Sequence, residues 1–258
     1  MSQIKIIFFD IDGTLKDFGA KPISEKTLEA LIRLKEKGIK ICIATGRPKV
    51  TLPKFDNVEF DAYLTFNGSY CYEQSNIIFN NPICNEDVRK IIQNATNLGK
   101  SVSIATRERL VANGTDKDLA EYYSLANLKL SASEDFEVVS QDDVYQIMMG
   151  CKKDDYDAII DGVNGAKITS WCGFAIDIIP ANGSKGVGIK KILEYYHIDK
   201  SESMAFGDGN NDIEMLEVVG TGVAMGNASE ELKAIADDIC AHVSEDGIYH
   251  YLIKQGII

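Results

Sequence analysis

The feature that most constrains this chain is an apolar run near its start that ends in two carboxylates. Residues 4–9 are almost all aliphatic or aromatic, and Asp10-Ile11-Asp12-Gly13-Thr14 follows directly. An apolar run before a turn signal predicts a fully buried strand, and open α/β sheets bind ligands at the carboxyl ends of their strands. We therefore expect Asp10 and Asp12 at the mouth of a site, on the same side of an extended chain.

The pairing of Asp10 with Asp12 itself points to a cation. Two neighbouring carboxylates repel each other, and a cation between them keeps both ionised. Oxygen ligands of this hardness suit Mg²⁺. An acidic turn without any function fits these two residues equally well, so the rest of the chain has to decide.

The segment after the first strand predicts a β-α-β unit. Ser24 is placed to cap a helix, and residues 39–44 read as the next strand. Parallel strands joined by a helix end at the same edge of a sheet, so Thr45 is expected beside Asp10. The hydroxyl of Thr45 and the amide of Gly46 are good donors to a phosphoryl oxygen. A plain strand-to-helix turn is the alternative for Thr45 taken alone.

Between about residue 80 and Pro180 the pattern changes to antiparallel strands with segregated helices, which is typical of a separate α+β domain. Residues 155–163 predict a helix, and Ala166 to Trp171 with Phe174 to Ile179 predict a closing hairpin. Residues 131–143 predict only a polar, mobile stretch. The insertion therefore interrupts a parallel α/β pattern that resumes after Pro180.

The resumed pattern adds polar residues at two further element ends. Gly183-Ser184-Lys185-Gly186 opens a helix, and the strand at residues 203–207 ends in Asp208-Gly209-Asn210-Asn211-Asp212. Phosphoryl transfer needs a nucleophile, a metal, cationic or amide donors and a proton carrier. These residue types supply all four.

Each role has a candidate. Asp10 is suited to be the nucleophile that forms an aspartyl-phosphate, and Asp12 to be the acid and base for the leaving alcohol and the attacking water. Lys185 would counter the negative charge of phosphate and nucleophile. Asp208 would complete the Mg²⁺ shell.

The four motifs, in their order, resemble those of the haloacid dehalogenase superfamily of aspartyl-phosphate phosphatases. They are Asp10-Ile11-Asp12-Gly13-Thr14, Ala44-Thr45-Gly46-Arg47, Asn182-Gly183-Ser184-Lys185-Gly186 and Gly207-Asp208-Gly209-Asn210-Asn211-Asp212. Together with Asn67-Gly68 and the insertion of roughly a hundred residues, the chain is similar to the Cof-type branch of sugar-phosphate phosphatases.

Element order and resemblance together imply an α/β fold in two domains. The expected parts are a Rossmann-like, three-layer, parallel-sheet core domain of residues 1–80 and 181–258, and an inserted α+β cap domain of residues 81–180. In family members of this kind the cap covers the site and reads the leaving group. The implied activity is Mg²⁺-dependent hydrolysis of small phosphomonoesters such as hexose phosphates.

The resemblance also assigns residues to the metal and the phosphate. The implied Mg²⁺ ligands are the carboxylates of Asp10 and Asp208 and the backbone carbonyl of Asp12, with Asp212 as a direct ligand or a helper. The implied phosphate contacts are Thr45, the Gly46 amide, Lys185 and Asn211, with Arg47 as either a substrate or cap contact or a surface ion pair. In the cap, Arg107, Arg109 and Asn113 are either substrate contacts or solvated surface residues.

Three other functions fit parts of the same pattern. A phosphomutase would use the same aspartyl-phosphate but release little phosphate. A phosphate-accepting switch would favour a long-lived acyl phosphate, whereas Asp12 promotes turnover. A partner-binding protein on a retired enzyme scaffold would lack at least one of Asp10, Lys185 and Asp208, and all three are present.

Bulk composition restricts the partners and the compartment. The net charge of -12, without a basic cluster, argues against nucleic-acid binding but not against a phosphorylated metabolite. The chain has no apolar stretch of membrane-spanning length and no signal-peptide pattern, so we expect a cytoplasmic protein, as a monomer or homodimer. None of the six cysteines forms a C-x-x-C pair, which gives no indication of a zinc site or redox motif.

Overall fold

The computed structural model of this protein describes residues 3–18, 22–55, 58–125, 128–170 and 175–258. Two compact units divide the chain between them. We call the first the core unit, which comprises residues 1–46, 53–80 and 184–258, and the second the cap unit, which comprises residues 47–52 and 81–183. Each unit has its own sheet.

The helices and strands follow one another in an order that separates the two units. The first part of the core unit holds β1 (Ile6–Phe9), α1 (Glu25–Glu36), β2 (Lys40–Ala44), β3 (Ala62–Thr65), β4 (Tyr70–Glu73) and β5 (Asn76–Asn80). The cap unit holds α2 (Asn85–Asn97), β6 (Ser103–Thr106), β7 (Leu110–Ala112), α3 (Lys117–Leu125), α4 (Phe136–Val139), β8 (Val144–Gly150), α5 (Tyr156–Ile159), β9 (Ala166–Ser170) and β10 (Ala175–Pro180). The core unit resumes with α6 (Lys185–Tyr196), β11 (Ser203–Gly207), α7 (Ile213–Val218), β12 (Thr221–Ala224), α8 (Glu230–Ile235), β13 (Asp238–Ile239) and α9 (Gly247–Lys254).

The core sheet has the strand order β13-β12-β11-β1-β2-β3-β4-β5. Its strands run parallel from β13 to β3, and β4 and β5 add an antiparallel edge. All four residues of β1 are fully buried, as expected of a central strand covered on both faces. The predicted α/β class with a parallel core is confirmed.

Strand register brings three chain segments to one edge of this sheet. Phe9, the last residue of β1, pairs with Ile43 in β2 and with Phe206 in β11. The residues that follow these strands therefore leave the sheet side by side. This alignment places the loops that carry the first, second and fourth motifs next to one another.

Helix α1 begins where the sequence predicts it. The Ser24 hydroxyl accepts a hydrogen bond from the Thr27 backbone N–H at 3.1 Å and so caps the helix. Leu31 and Leu34 bury one face of α1, and Gly38 follows its end at a φ of +73°. Helix α1 packs with α9, and α6 packs with α7, an arrangement that suits helices layered on a parallel sheet.

The cap unit is built on an antiparallel sheet in the order β7-β6-β8-β10-β9. One apolar cluster joins this sheet to α2, with Ile104, Ile147 and Ile178 from the strands and Val88 and Ile91 from the helix. The unit therefore has a hydrophobic core of its own. Antiparallel strands with separate helices agree with the predicted α+β character.

Two local predictions in the cap unit are wrong. Residues 131–143 are not simply a polar stretch, because Phe136 and Val139 form the buried face of α4 and join the cap core. The helix predicted over residues 155–163 is only one turn long, since the chain reaches a left-handed Gly162 at a φ of +71°. The first error reflects a short segment in which tertiary packing outweighs a weak periodic signal, and the second reflects a glycine that ends the helix early. The predicted hairpin residues Trp171 and Phe174 lie outside the described residues.

Two composition-based expectations concern cysteines and membranes. The five described cysteines, Cys42, Cys71, Cys84, Cys151 and Cys240, are free thiols, and Cys172 lies outside the described residues. Within the ranges that the structure covers, no helix combines the length and the apolar character needed to cross a membrane.

One buried amide in the cap unit generates a stability prediction. Asn94 on α2 donates from Nδ2 to the carbonyls of Ile159 and Asp161, each at 2.9 Å, at the end of α5. The substitution Asn94→Ala would leave these carbonyls without that donor, and we expect a loss of about 2 kcal/mol of unfolding free energy. Urea denaturation checks this as a lower midpoint.

The matched control for this prediction is Asn97→Ala. Asn97 lies on the same helix, but it is exposed, and its side-chain oxygen accepts from the exposed Gln93 side chain. We expect its midpoint to stay close to that of the wild type. Equal destabilisation by the two substitutions would contradict the prediction that the hydrogen bonds of Asn94 to the end of α5 stabilise the cap unit.

Candidate active site

The loop after β1 positions the first predicted carboxylate. Asp10 follows the strand directly, and its backbone N–H donates to the Phe206 carbonyl at 3.1 Å, which continues the ladder to β11. The chain then turns, and the Lys16 N–H donates to the Ile11 carbonyl at 3.0 Å. Because the strand ends at Phe9, strand alternation does not extend to Asp12, which lies half-buried in this loop.

Lys185, at the start of α6, is the cation of the site. The Ser184 hydroxyl caps this helix by accepting from the Val187 N–H at 3.2 Å. The Lys185 side chain is fully buried, and its Nζ donates to Asp10 Oδ1 at 2.7 Å and to Asp212 Oδ1 at 2.5 Å. Burial alone would lower the pKa of Lys185, but the charges of Asp10 and Asp212 outweigh burial and raise this pKa above its ordinary value.

Asp212 stabilises the loop that follows β11. Its Oδ2 accepts from the backbone N–H groups of Asp208 at 2.9 Å and Gly209 at 3.0 Å, while its Oδ1 accepts from Lys185. Both carboxylate oxygens of Asp212 are therefore engaged within the protein. The Thr14 hydroxyl donates to Asp208 Oδ1 at 2.9 Å, which ties this loop to the one after β1.

Three of the predicted metal residues form one buried cluster. Carboxylate oxygens of Asp10, Asp208 and Asp212 all lie within 4.8 Å of one another. Burial is the main cause that raises the pKa of Asp10 to about 7, against the opposing charge of Lys185. Burial also raises the pKa of Asp208 to about 9, with repulsion from Asp10 and Asp212 adding to it.

This cluster has more negative than positive groups. Among the residues that the structure describes, three carboxylates, those of Asp10, Asp208 and Asp212, lie around the ammonium of Lys185, and the charge of Asp12 also raises the pKa of Asp10. Buried carboxylates in excess of their cationic partners fit a hard divalent cation, which removes the mutual repulsion. The donor set therefore fits Mg²⁺.

Gly13 allows the first and fourth motifs to meet. Its φ is +82°, and a Cβ there would lie 2.1 Å from Asp208 Oδ2. A glycine is needed for both reasons, since other residues disfavour this φ and would clash with the carboxylate. The Asn227 amide donates to the Gly13 carbonyl at 2.7 Å and accepts from the Val243 N–H at 2.9 Å, which holds the turn from the other side.

The predicted phosphate contacts Thr45, Gly46 and Asn211 come together around Asn67. Thr45 is buried after β2, and its carbonyl accepts from the Asn67 N–H at 3.1 Å. The Asn211 amide donates from Nδ2 to Asn67 Oδ1, also at 3.1 Å. These residues belong to the core unit, as Lys185 and the carboxylate cluster do.

Among the residues predicted to bind the metal or the phosphate, Arg47 is the one that belongs to the cap unit. It lies in segment 47–52 and donates from Nη1 to the Thr51 carbonyl at 3.3 Å. All three cap candidates have contacts within their own unit: Arg107 forms an ion pair with Glu108, Arg109 forms a two-point ion pair with Asp135, and Asn113 accepts from the Val102 N–H. These contacts favour a structural role for Arg109 and Asn113.

Sequence reasoning missed two residues that support the carboxylates. The first is Thr14, whose hydroxyl follows the Asp-Gly turn, a position from which it can reach a neighbouring loop. Asn227 carried no sequence signal, because its partner Gly13 is 214 positions away.

Comparisons with known proteins show the family to which the chain belongs. A family model described as haloacid dehalogenase-like hydrolase matches residues 7–252. YkrA of Bacillus subtilis, whose name marks its phosphatase activity as provisional, is 32% identical over 256 residues, which cover 98% of each chain. YitU of the same organism, a 5-amino-6-(5-phospho-D-ribitylamino)uracil phosphatase, is 30% identical over 261 residues, which cover 96% of each chain.

A solved structure shows the same fold at similar identity. It is that of a sugar phosphatase of subclass IIB of the haloacid dehalogenase superfamily, with a TM-score of 0.89 and 32% identity. The match covers 98% of this chain and 100% of that one. The chain therefore belongs to the haloacid dehalogenase-like hydrolases, within them to the Cof-type phosphatases that its motifs predicted, and it is a phosphoric monoester hydrolase.

Proposed function

We propose that this phosphatase is Mg²⁺-dependent and hydrolyses small phosphomonoesters through an aspartyl-phosphate on Asp10. The observation that carries the proposal is the Lys185 ammonium, which lies 2.7 Å from Asp10 Oδ1 inside a cluster of buried carboxylates. A carboxylate nucleophile beside a fixed cation and a set of hard ligands is the equipment that phosphoryl transfer to an aspartate requires.

In the first half-reaction, Asp10 attacks the phosphorus atom. Since Oδ1 accepts from Lys185, we assign the attack to Oδ2. The new bond joins Oδ2 to phosphorus as the bond from phosphorus to the leaving oxygen breaks. Asp12 gives a proton to that oxygen, so the product leaves as a neutral alcohol.

In the second half-reaction, Asp12 acts as the base. It takes a proton from a water molecule, whose oxygen attacks phosphorus while the bond to Asp10 Oδ2 breaks. Inorganic phosphate leaves, and both aspartates return to their starting state. Lys185 stays charged throughout, which balances the anionic groups of Asp10 and the phosphoryl oxygens.

The metal site would use Asp10, Asp208 and the backbone carbonyl of Asp12. Asp212 has both oxygens engaged by Lys185 and by backbone N–H groups, so we assign it to hold Lys185 and Asp208 in place. Bound Mg²⁺ supplies positive charge that lets an anionic phosphoryl group approach a carboxylate. Thr45, the Gly46 amide and Asn211 would donate to the phosphoryl oxygens, as would Lys185.

The substrate class we propose is a phosphate ester of a small polyhydroxylated molecule, most simply a sugar phosphate. Two relatives support it: the subclass IIB structure is a sugar phosphatase, and YitU acts on a compound with a 5-phospho-D-ribityl chain. One name specifies a sugar and the other a phosphorylated ribityl chain, and both of these groups are polyhydroxylated. For Arg47 the predicted alternatives stay a substrate or cap contact and a surface ion pair. The partner that we propose is a small metabolite.

The nucleophile assignment predicts that Asp10→Asn abolishes turnover. The amide keeps the size of the side chain but cannot attack phosphorus, so we expect at least a thousandfold loss, on the order of that seen for lost nucleophiles. Phosphate release from sugar, nucleotide, pyridoxal and flavin phosphates, with and without Mg²⁺, checks this. Asp143→Asn, on the exposed surface of the cap unit, is the matched control, and full activity of Asp10→Asn would refute the assignment.

The acid and base assignment predicts that Asp12→Asn slows both half-reactions. Without a base for water, the phosphorylated Asp10 should persist, and intact-protein mass spectrometry after rapid quenching should detect a phosphate adduct. Unchanged kinetics would deny Asp12 this role. Exchange of phosphate between sugar positions, with little release by the wild type, would indicate a mutase instead.

The carboxylate cluster predicts a pH-dependent effect of Mg²⁺ on stability. The pKa values of Asp10 and Asp208, about 7 and about 9, lie above the ordinary value of 3.8, so the folded protein binds more protons than the unfolded chain between these values. The metal-free fold therefore loses stability as the pH rises from the ordinary pKa to the raised ones. Mg²⁺ favours the ionised forms and competes with protons. Its upward shift of the unfolding temperature should therefore be larger at about pH 9 than at about pH 6. An equal or smaller shift at the higher pH would contradict this.

A further inference from the structure

A turn after β3 touches three loops of the active site without having a role in the chemistry above. It consists of Phe66, Asn67 and Gly68, whose φ angles are 52°, 52° and 93°. Positive φ is uncommon outside glycine, and it is rare for a bulky residue such as Phe66. Phe66 and Asn67 are both buried, so the surrounding structure holds them in this conformation.

The first contact of this turn is with the second motif. The Asn67 N–H donates to the Thr45 carbonyl at 3.1 Å. Gly46 comes so close to the Asn67 side chain that a Cβ there would lie 2.9 Å from Asn67 Oδ1 and 3.1 Å from Nδ2. Thr45 and Gly46, which carry two of the donors proposed for phosphate, therefore both contact Asn67 directly.

The second contact is with the loop of the fourth motif. Asn211 Nδ2 donates to Asn67 Oδ1 at 3.1 Å. A side-chain amide has a donor end and an acceptor end, and this bond fixes which end of Asn211 faces Asn67. The orientation of the Asn211 amide, including its second N–H, therefore depends on Asn67.

The third contact is with the segment that leads into α6. Gly68 approaches Ser184 so closely that a Cβ would lie 2.0 Å from the Ser184 carbonyl oxygen. Ser184 caps α6 and directly precedes Lys185. One left-handed turn is thus packed against the loops that carry Thr45, Lys185 and Asn211.

We propose that Asn67 is a positioning residue for the phosphate site: its left-handed backbone supports the Thr45–Gly46 loop, and its amide oxygen orients Asn211 towards the phosphoryl group. The inference rests on the proposed function and adds a residue to it. A purely structural turn would contribute to stability alone, and phosphate affinity would then not depend on the Asn67 side chain.

The test compares Asn67→Gly with the wild-type protein. Glycine adopts the positive φ without strain, so the turn is kept while the amide is removed. With Mg²⁺ present, we expect the affinity for inorganic phosphate, from product inhibition and calorimetry, to fall about tenfold, with a matching rise in KM. The affinity for Mg²⁺ should change by less than about twofold.

The matched control is Gln74→Gly. Gln74 also has a positive φ, 49°, but it is exposed in the turn between β4 and β5. It should bind phosphate like the wild type. If Asn67→Gly does so too, with an active wild type, the positioning role is wrong and the proposed function stands. If the wild type neither binds phosphate nor releases it from esters, the proposed function fails, and the positioning role fails with it.

A double substitution shows whether Asn67 acts through Asn211. In the Asn211→Ala background, Asn67→Gly should change phosphate affinity by less than about twofold, because the group that it orients is gone. Independent, additive losses would overturn the proposal.

The side-chain amide signals of Asn211 in ¹H–¹⁵N spectra give a second readout. Asn67→Asp keeps the acceptor oxygen and should keep these signals near their wild-type positions, whereas Asn67→Gly should move them. If Asn67→Gly does not fold, the spectrum of Asn67→Asp decides, and loss of the Asn211 signals in a folded Asn67→Asp protein would refute the orientation by Asn67.

Discussion

The buried ammonium of Lys185 is the constraint on which the rest of the site depends. A buried charge is strongly unfavourable unless partners compensate it, and removal of one partner leaves the other charge uncompensated. Asp10 and Asp212 provide that compensation from the ends of β1 and β11. The start of α6 therefore has to meet both strands at the same edge of the sheet, and the fold of the core unit is specified at this point by charge as well as by apolar packing.

This arrangement divides the work among the acidic residues. Asp212 has a structural role, because its two carboxylate oxygens accept hydrogen bonds from Lys185 and from the backbone of its own loop. Asp208 accepts from Thr14 and faces Gly13, and burial together with repulsion from Asp10 and Asp212 raises its pKa to about 9, which favours its uncharged form when no cation is near. The negative charges of Asp10 and Asp208 are thus not balanced by the nearby positive charge of Lys185. This imbalance is the physical argument for a divalent cation at these two residues.

The sequence predicted the parts of the site that depend on short-range patterns. Asp10, Thr45, Lys185 and Asp208 each lie at the end of a recognisable strand or the start of a helix, and the geometry of parallel sheets brings such ends together. The supporting residues could not be predicted in the same way. Asn227 reaches Gly13 across 214 positions, and nothing in its local sequence encodes that contact. The short helix α4 shows the same limit, because only packing against the cap core makes Phe136 and Val139 a helical face.

The turn at Phe66 shows how local preference and site geometry differ. Asn67 and Gly68 suit a left-handed conformation, and they would adopt such a turn in many contexts. Phe66 does not suit it, so local preference cannot explain three positive φ angles in a row. The conformation is instead held by what surrounds it: the buried ring, the Thr45 carbonyl and the Ser184 carbonyl. This turn lies at the sheet edge where the proposed phosphate donors meet. Its unfavourable backbone conformation is best explained by a role in aligning those donors.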